Sequence, residues 1–384
     1  MRHRLVPFNF DSVRSAARRI TGLDDFGPDD GFEDRLRATM QSLSTIDFNL
    51  IGRLAVRTAI HWHLSTRLNM VELMKQRPTI FDVPVEAPIF IVGLFRTGTT
   101  FLHHVMAADE ESRAGLMWEL SYPVGRKKNL MADFGWRKRR TSIPLTLNHL
   151  MVPDQDVVHY VSRDDYEEDF FLLGTDMAVM TSIVGLGDFE YGWSLLDWDL
   201  EVPYQWHKRQ LQALWGQRSA TRWLLKCPWH LWNLDSLLKV YPDARILHIH
   251  RDPAKALGSQ CSLVGRMNCR LQRNLDVHEL GKFWLDYSHA GMERGLKAKA
   301  ALPASQVFDL RLKDLRSSPR EWMNRVYDHF DLPFTPSLGE RFATAAANEP
   351  AAQFGSHTYS IQDYGLTDEL VREKFSSYCA QFGV

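Results

Sequence analysis

The sequence predicts an α/β fold, a parallel sheet flanked by helices and preceded by a helical N-terminal extension. Three observations predict it. Short uninterrupted apolar runs, the pattern of strands buried on both faces, recur from Ile89 onward. Stretches of helical period separate them. The first run also passes directly into a glycine- and threonine-rich turn that opens a helix. Length and composition agree, because 384 residues with 45% hydrophobic and 24% charged content suffice for one large α/β domain with appended elements.

Residues 1–85 read as the helical extension, since Leu50, Leu54, Ala55, Thr58 and Trp62 recur near the helical period and no strand signal appears. Pro78, Pro84 and Pro88 punctuate the chain before Ile89-Phe90-Ile91-Val92-Gly93, so a second unit, residues 86–384, is expected to begin there as one compact domain. Trp223–Lys226 suggests a second strand, followed by a helix over about His230–Val240 and a third strand over Ala244–His250. A fourth strand is expected over Gln306–Leu310, and Ser318-Pro319 then opens a helix carrying Trp322, Val326, Tyr327 and Phe330. Helical crossovers between strands imply a parallel sheet with right-handed connections. Residues 115–220, rich in aromatics such as Trp118, Trp136, Trp193, Trp198 and Trp206, set no topology.

Charge and hydropathy narrow the partners. Forty-six basic residues against 47 acidic ones leave a net charge of −1, so no overall field points to nucleic acid and any anion site must be a local cluster. The longest apolar stretches, such as Ala87–Leu94, fall well short of the ~20 residues of a spanning helix, so no integral membrane contact is expected. Beyond the basic residues Arg2 and Arg4, Asn9, Asp11 and Arg14 break up the chain before a signal core could form, which predicts a cytoplasmic protein. Cys227, Cys261, Cys269 and Cys379 form no Cys-x-x-Cys pair and have no zinc-type histidine spacing, so free thiols and no metal are expected. A homo-oligomer is compatible with all of this.

The sharpest local signal is Gly93-Leu94-Phe95-Arg96-Thr97-Gly98-Thr99-Thr100, between the first strand and a helical run from Phe101 to Ala108. Its glycine spacing is that of a P-loop, a turn that aims backbone N–H groups and a helix N-terminus at one anion. The hydroxyls of Thr97, Thr99 and Thr100 are expected to add donors. Where a P-loop triphosphatase has its phosphate-binding lysine this chain has Thr99, while Arg96 puts a permanent cation inside the loop. That combination suits a phosphosulfate or monophosphate better than a metal-bound triphosphate. A second half-site is expected where the third strand ends in His250-Arg251-Asp252-Pro253, with Ser259 two turns into the next helix. A guanidinium fork and a hydroxyl suit a phosphate monoester.

The runs FIVGLFRTGTTFLHHVM from Phe90 and LLKCPWHLWNLDSLLKVYPDARILHIHRDP from Leu224, with Ser259 after them, resemble the sulfotransferases that use 3′-phosphoadenosine 5′-phosphosulfate (PAPS), in particular the group with an arginine in the first loop. The resemblance implies a single α/β domain of P-loop-like fold and transfer of a sulfuryl group from PAPS to the hydroxyl or amine of a small acceptor, giving 3′,5′-ADP. It implies that Arg96, Thr97, Gly98, Thr99, Thr100 and Phe101 hold the 5′-phosphosulfate, and that Arg251 and Ser259 hold the 3′-phosphate. The cytosolic members' arginine-lysine-glycine run near the C-terminus is missing here, and His357 and Tyr359 are candidate substitutes.

Sulfuryl transfer needs an aligned acceptor, a base, and positive groups on the developing charge, and positioning with electrostatics can supply most of the acceleration. Arg96 and Lys226 are the expected charge stabilisers. His230 is the first candidate base, near the family's spacing from Arg251 although two residues later than its compact lysine-threonine-histidine order, and histidine titrates in the useful range. Glu119 is the second candidate and His159 the third. The acidic run Asp164-Asp165-Tyr166-Glu167-Glu168-Asp169 reads as a solvated helix face. Arg126-Lys127-Lys128 and Arg137-Lys138-Arg139-Arg140 could attract an acidic acceptor or a membrane surface. Several of the twelve tryptophans keep an apolar or aromatic alcohol among the acceptors. Two other classes compete: a P-loop kinase or nucleotide hydrolase, which would need ATP and Mg²⁺, and a non-catalytic nucleotide-binding protein, which would tolerate loss of the base.

Overall fold

A computed structural model describes residues 8–151, 160–218, 220–349 and 359–384. A five-stranded sheet lies at its centre: β1 (Ile89–Gly93), β2 (Ser112–Ala114), β3 (Arg222–Lys226), β4 (Arg245–His250) and β5 (Val307–Arg311). The spatial order is β2-β3-β1-β4-β5. Every neighbouring pair is parallel, as the helical crossovers require. Four strands coincide with the expected apolar runs. Only β2 escaped, because Ser112-Arg113-Ala114 offers no apolar run to read.

Register positions the site. Ile91 pairs with Lys226 and Gly93 with Ile249, so the carboxyl ends of β3, β1 and β4 finish side by side. That is the edge at which open α/β sheets bind ligands.

Each face of the sheet buries its own core. One face carries Ile89, Ile91, Leu224 and Leu247 against helix α4 (Thr99–Met106), which starts two residues ahead of the expected Phe101, and against the Pro319–His329 helix through Val326 and Tyr327. The other carries Phe90, Val92, Leu225 and Ile246. In the same cluster lie residues of the three N-terminal helices α1 (Phe10–Thr21), α2 (Phe32–Thr45) and α3 (Leu50–Gln76): Val13, Leu36, Ile60 and Leu64.

The helical period of α3 is as expected. Val56, Ile60, Leu64 and Leu68 are buried, whereas Leu50 and Leu54 are about half exposed (55% and 50%). At the start of the helix the backbone packs closely on its neighbour, since a Cβ on Gly52 would stand 2.3 Å from the Leu271 carbonyl oxygen. The segment expected as one helix from His230 begins instead as a 3₁₀ turn, Pro228–Asn233, before the Leu234–Val240 helix. The described residues between 115 and 220 are mostly helical, and their helices include Met117–Ser121, Phe134–Met151, Phe170–Leu173 and Glu201–Trp215. Among the described residues no helix is long and apolar enough to cross a membrane.

Candidate active site

The loop leaving β1 turns through two left-handed residues, Arg96 (φ 67°) and Gly98 (φ 94°). Glycine adopts that conformation freely, whereas for arginine it costs about 1–2 kcal/mol. Thr97 is buried and donates its hydroxyl to the Leu94 carbonyl at 2.7 Å, so this hydroxyl, expected as an anion donor, closes the loop on itself instead. Thr99 is buried at the first position of α4, whose leading amides stand at the loop's mouth. The Phe101 ring is buried in the core below.

The end of β4 meets this loop. Arg251 donates through Nη1 to the Arg96 carbonyl at 2.8 Å, and Arg96 donates through Nε to the Ser259 hydroxyl at 3.0 Å. Three residues read from separate segments of sequence thus converge. Burial and then the like charge of Arg251 lower the Arg96 pKa, with Glu168 pulling the other way. An anion between the two guanidiniums would relieve their repulsion. Tyr359 joins them, its ring against Gly258 and its hydroxyl donating to the Lys255 carbonyl. His357 and His159 lie outside the described residues.

On the other side, Lys226 ends β3 fully buried, its Nζ 3.3 Å from the Thr100 hydroxyl and 2.9 Å from Glu168 Oε1. Burial alone would depress its pKa; Glu168 and Glu167 outweigh it and hold the ammonium above the usual lysine value. Glu168 is therefore no solvated helix residue, and neither are its neighbours. The acidic run is an irregular strap, with Glu167 and Asp169 buried. Glu167 N–H donates to the Gly115 carbonyl and Asp169 N–H to the Lys226 carbonyl, which pins Glu168 between two anchored residues. Pattern reading missed it because a run of acids looks solvated until a buried lysine stands opposite.

His230 lies just behind this strap with no exposed surface. Its Nε2 is 2.8 Å from Asp169 Oδ2, and its Nδ1 is 2.8 Å from the Tyr204 hydroxyl. His207 mirrors it, with Nε2 2.8 Å from the same Asp169 oxygen and Nδ1 2.8 Å from the Tyr241 hydroxyl. Asp169 Oδ1 accepts from the Lys226 N–H at 2.9 Å. Burial would raise the Asp169 pKa, but His230 and His207 hold it well below the usual carboxylate range. Every hydrogen-bonding atom of this network is used. To take a proton from an acceptor, His230 would first have to give up one of its two partners.

A family model described as the sulfotransferase family matches residues 88–336, more than half of the chain. The chain belongs to the sulfotransferase family. Among curated sulfotransferases it is 24% identical over 363 residues, 86% of this chain and 89% of the relative, to omega-hydroxy-beta-dihydromenaquinone-9 sulfotransferase Stf3 of Mycobacterium bovis. The same figures hold for Stf3 of Mycobacterium tuberculosis. Two solved sulfotransferases share the fold almost end to end. STF1 from Mycobacterium tuberculosis superposes with a TM-score of 0.83 at 28% identity, covering 96% of this chain and 98% of that one. STF9 from Mycobacterium avium gives 0.83 at 27%, covering 98% and 97%. The P-loop-like α/β architecture is thus that of the sulfotransferases, and a kinase reading is not favoured.

Within this sulfotransferase, Glu119 sits apart from the loop's cations. It is buried in the short Met117–Ser121 helix, where Oε1 accepts from Arg113 Nη2 at 3.2 Å and Oε2 from the Leu116 N–H at 3.0 Å. That helix supports the strap, since Met117 and Trp118 donate their N–H groups to the Asp165 and Arg163 carbonyls. Both Glu119 oxygens are thus occupied by fold-building contacts.

Proposed function

We propose that the chain moves a sulfuryl group from PAPS to the hydroxyl of a small apolar acceptor, releasing 3′,5′-ADP and using no metal. One observation carries the reading: Arg96, Lys226, Arg251 and Ser259, from three strand ends and a helix, converge on one glycine-turn loop. It yields two charge sites. The α4 amides, Arg96 and Lys226 suit the 5′-phosphosulfate, while Arg251 and Ser259 suit the 3′-phosphate. Thr99, where a triphosphatase has lysine, supports a donor without Mg²⁺.

In the proposed step the acceptor oxygen bonds to sulfur as the S–O bond to the 5′-phosphate breaks, and the acceptor proton passes to a base. Arg96 and Lys226 would offset the charge that gathers on the leaving phosphate. Glu168 is the base this geometry favours, because it is half-buried and bonded through Oε1 to Lys226, which also reaches the Thr100 hydroxyl of the loop, whereas His230 and Glu119 have both of their polar atoms engaged within the fold. A strip of half-buried rings leads away from it: Phe170 and Phe171, then Trp62 at 5.6 Å from Phe171, Tyr122 at 5.9 Å from Trp62, and Trp136 at 5.4 Å from Tyr122. Such a strip suits an apolar acceptor. The Stf3 relatives act, by name, on a hydroxylated dihydromenaquinone, which supports the same acceptor class. Four free cysteines, two of them buried, fit a reducing cytoplasm.

Calorimetry tests the donor reading. The protein should bind 3′,5′-ADP with or without EDTA, more tightly than 5′-AMP by ~1.5–3 kcal/mol for the charge-assisted 3′-phosphate contacts. Arg251→Ala should remove that preference selectively. Equal affinity for the two nucleotides, or tighter binding of ATP with Mg²⁺, would end the reading.

A further inference from the structure

The basic clusters flagged in the sequence are not absorbed by the donor site. Arg126, Lys127 and Lys128 lie exposed on a loop directly before the Phe134–Met151 helix, and the Arg126 guanidinium sits 5.4 Å from the Trp136 ring of that helix. The two clusters therefore form one continuous patch. Arg137 is drawn inside, donating to Gln217, and belongs to the fold. Arg126 pairs with Asp133, and Lys138 pairs with Asp164. Lys127, Lys128, Arg139 and Arg140 meet no carboxylate at ion-pair distance among the described residues, so the patch keeps a positive surplus.

An apolar line runs through the same patch. Trp136, Arg139, Arg140, Ile143 and Leu147 follow one another at i, i+3, i+4, i+7 and i+11, which is one face of a helix. Ile143 and Leu147 are 47% and 53% exposed, and Trp136 is half-buried. Exposed aliphatic side chains flanked by arginines, with a tryptophan at the edge, suit the headgroup–acyl boundary of a membrane surface. Nucleic acid fits less well, because the centre of the face is aliphatic where a phosphate backbone would need donors. The face is also continuous with the acceptor strip, since Trp136 contacts Tyr122 and Tyr122 contacts Trp62, on the way to Phe171 and Glu168.

We propose that the Phe134–Met151 helix and the Arg126–Lys128 loop dock the enzyme on an anionic phospholipid surface, so that an acceptor resident in the bilayer enters along the ring strip. The acceptor clause rests on the sulfotransferase reading above; the docking itself does not. Surface potential draws the basic residues to the headgroups, and Ile143 and Leu147 enter the headgroup–acyl boundary.

Co-sedimentation of the full chain with vesicles tests this. Binding to vesicles of phosphatidylcholine containing phosphatidylglycerol is expected, falling with salt, and little binding to phosphatidylcholine alone. Arg139→Glu/Arg140→Glu should weaken binding by at least about 30-fold, at about fivefold per basic residue removed from an anionic surface. Ile143→Ser/Leu147→Ser should weaken it at high salt as well as at low. Both variants should keep wild-type affinity for 3′,5′-ADP, which reports an intact fold and donor site. No preference of the wild type for anionic vesicles, or wild-type binding by both variants, overturns the proposal. So does a wild-type dimer that Ile143→Ser/Leu147→Ser converts to monomer, which would give the face to a second copy of the chain. If the wild type bound anionic vesicles but no 3′,5′-ADP, the donor reading would fail and the docking surface would stand.

Discussion

Two polar constellations meet at the end of β3, and adjacent residues of one strap divide between them. Asp169 belongs to a closed network in which His207, His230, Tyr204, Tyr241 and the Lys226 N–H engage both carboxylate oxygens and all four ring nitrogens. Glu168 belongs to an open one, where Lys226, Arg96 and Arg251 gather at the loop proposed to hold the donor's anionic groups. Both are buried or nearly so and both are rich in titratable groups. Burial of charge alone therefore does not mark the chemistry. A network whose titratable atoms are all bonded to one another fixes geometry, whereas one in which like charges gather at a loop is suited to a ligand.

The largest expected effect breaks the open side. Glu168→Gln keeps the size and most contacts of the side chain while removing its basicity, so turnover should fall by ~100- to 10,000-fold, the range for a lost general base. Affinity for 3′,5′-ADP and the melting temperature should stay near wild type. The rival assignment has an equally clear signature: His230→Gln slowing turnover as much, with melting unchanged, would move the base to His230. The closed side should respond differently. Asp169→Asn leaves two buried histidines facing a neutral amide, and breaking a buried charged network costs ~3–5 kcal/mol. Urea unfolding should show that loss, with turnover falling alongside because Lys226 and Glu168 lose their common anchor.

A smaller effect is expected at Glu119. It caps the Met117–Ser121 helix and neutralises Arg113, whose pKa burial brings down to about 10 against the pull of Glu119. Glu119→Ala should cost ~1–3 kcal/mol of stability through the buried partners it strands. The folded fraction should keep its turnover. Loss of turnover at unchanged stability would return Glu119 to the list of bases.

Much of this architecture was legible in the sequence because its signals are local. The apolar runs of β1, β3, β4 and β5 and the loop from Gly93 to Thr100 are contiguous, so their chemistry can be read in one window. Arg251 and Ser259 were legible for a related reason: a strand end and the following helix turn must face the same edge of the sheet. The role proposed for Glu168 was not legible, because it depends on Lys226 some sixty residues away and on a strap held by backbone bonds to Gly115 and Lys226. The closed state of His230 was hidden likewise, since Tyr204 and Asp169 reach it from other elements.

The smallest effect concerns a histidine outside both constellations and sharpens the contrast between shared and solitary burial. His63 is fully buried on α3, and among the described residues its Nε2 finds no hydrogen-bond partner. Burial lowers its pKa from 6.5 to about 3. His207, also lowered by burial, is supported by its bond to Asp169, whereas among the described residues no carboxylate is bonded to His63. Proton counting gives the sign. The unfolded chain protonates this site below about pH 6.5 while the folded one stays neutral to about pH 3, so its contribution to stability is full above 6.5 and is lost as the pH falls through that window. Between about pH 7.5 and 5.5 the loss amounts to ~1.4 kcal/mol, one pKa unit's worth. Asp176 and Asp188, both raised by burial to about 6, act oppositely, because the folded state takes up their protons first and gains stability on acidification. His63→Gln should therefore flatten the acid side of the stability curve by ~1.4 kcal/mol over that interval while lowering stability at neutral pH only modestly. Urea midpoints at the two pH values decide it: a wild-type slope in the variant would mean that His63 is protonated or solvated in the folded protein.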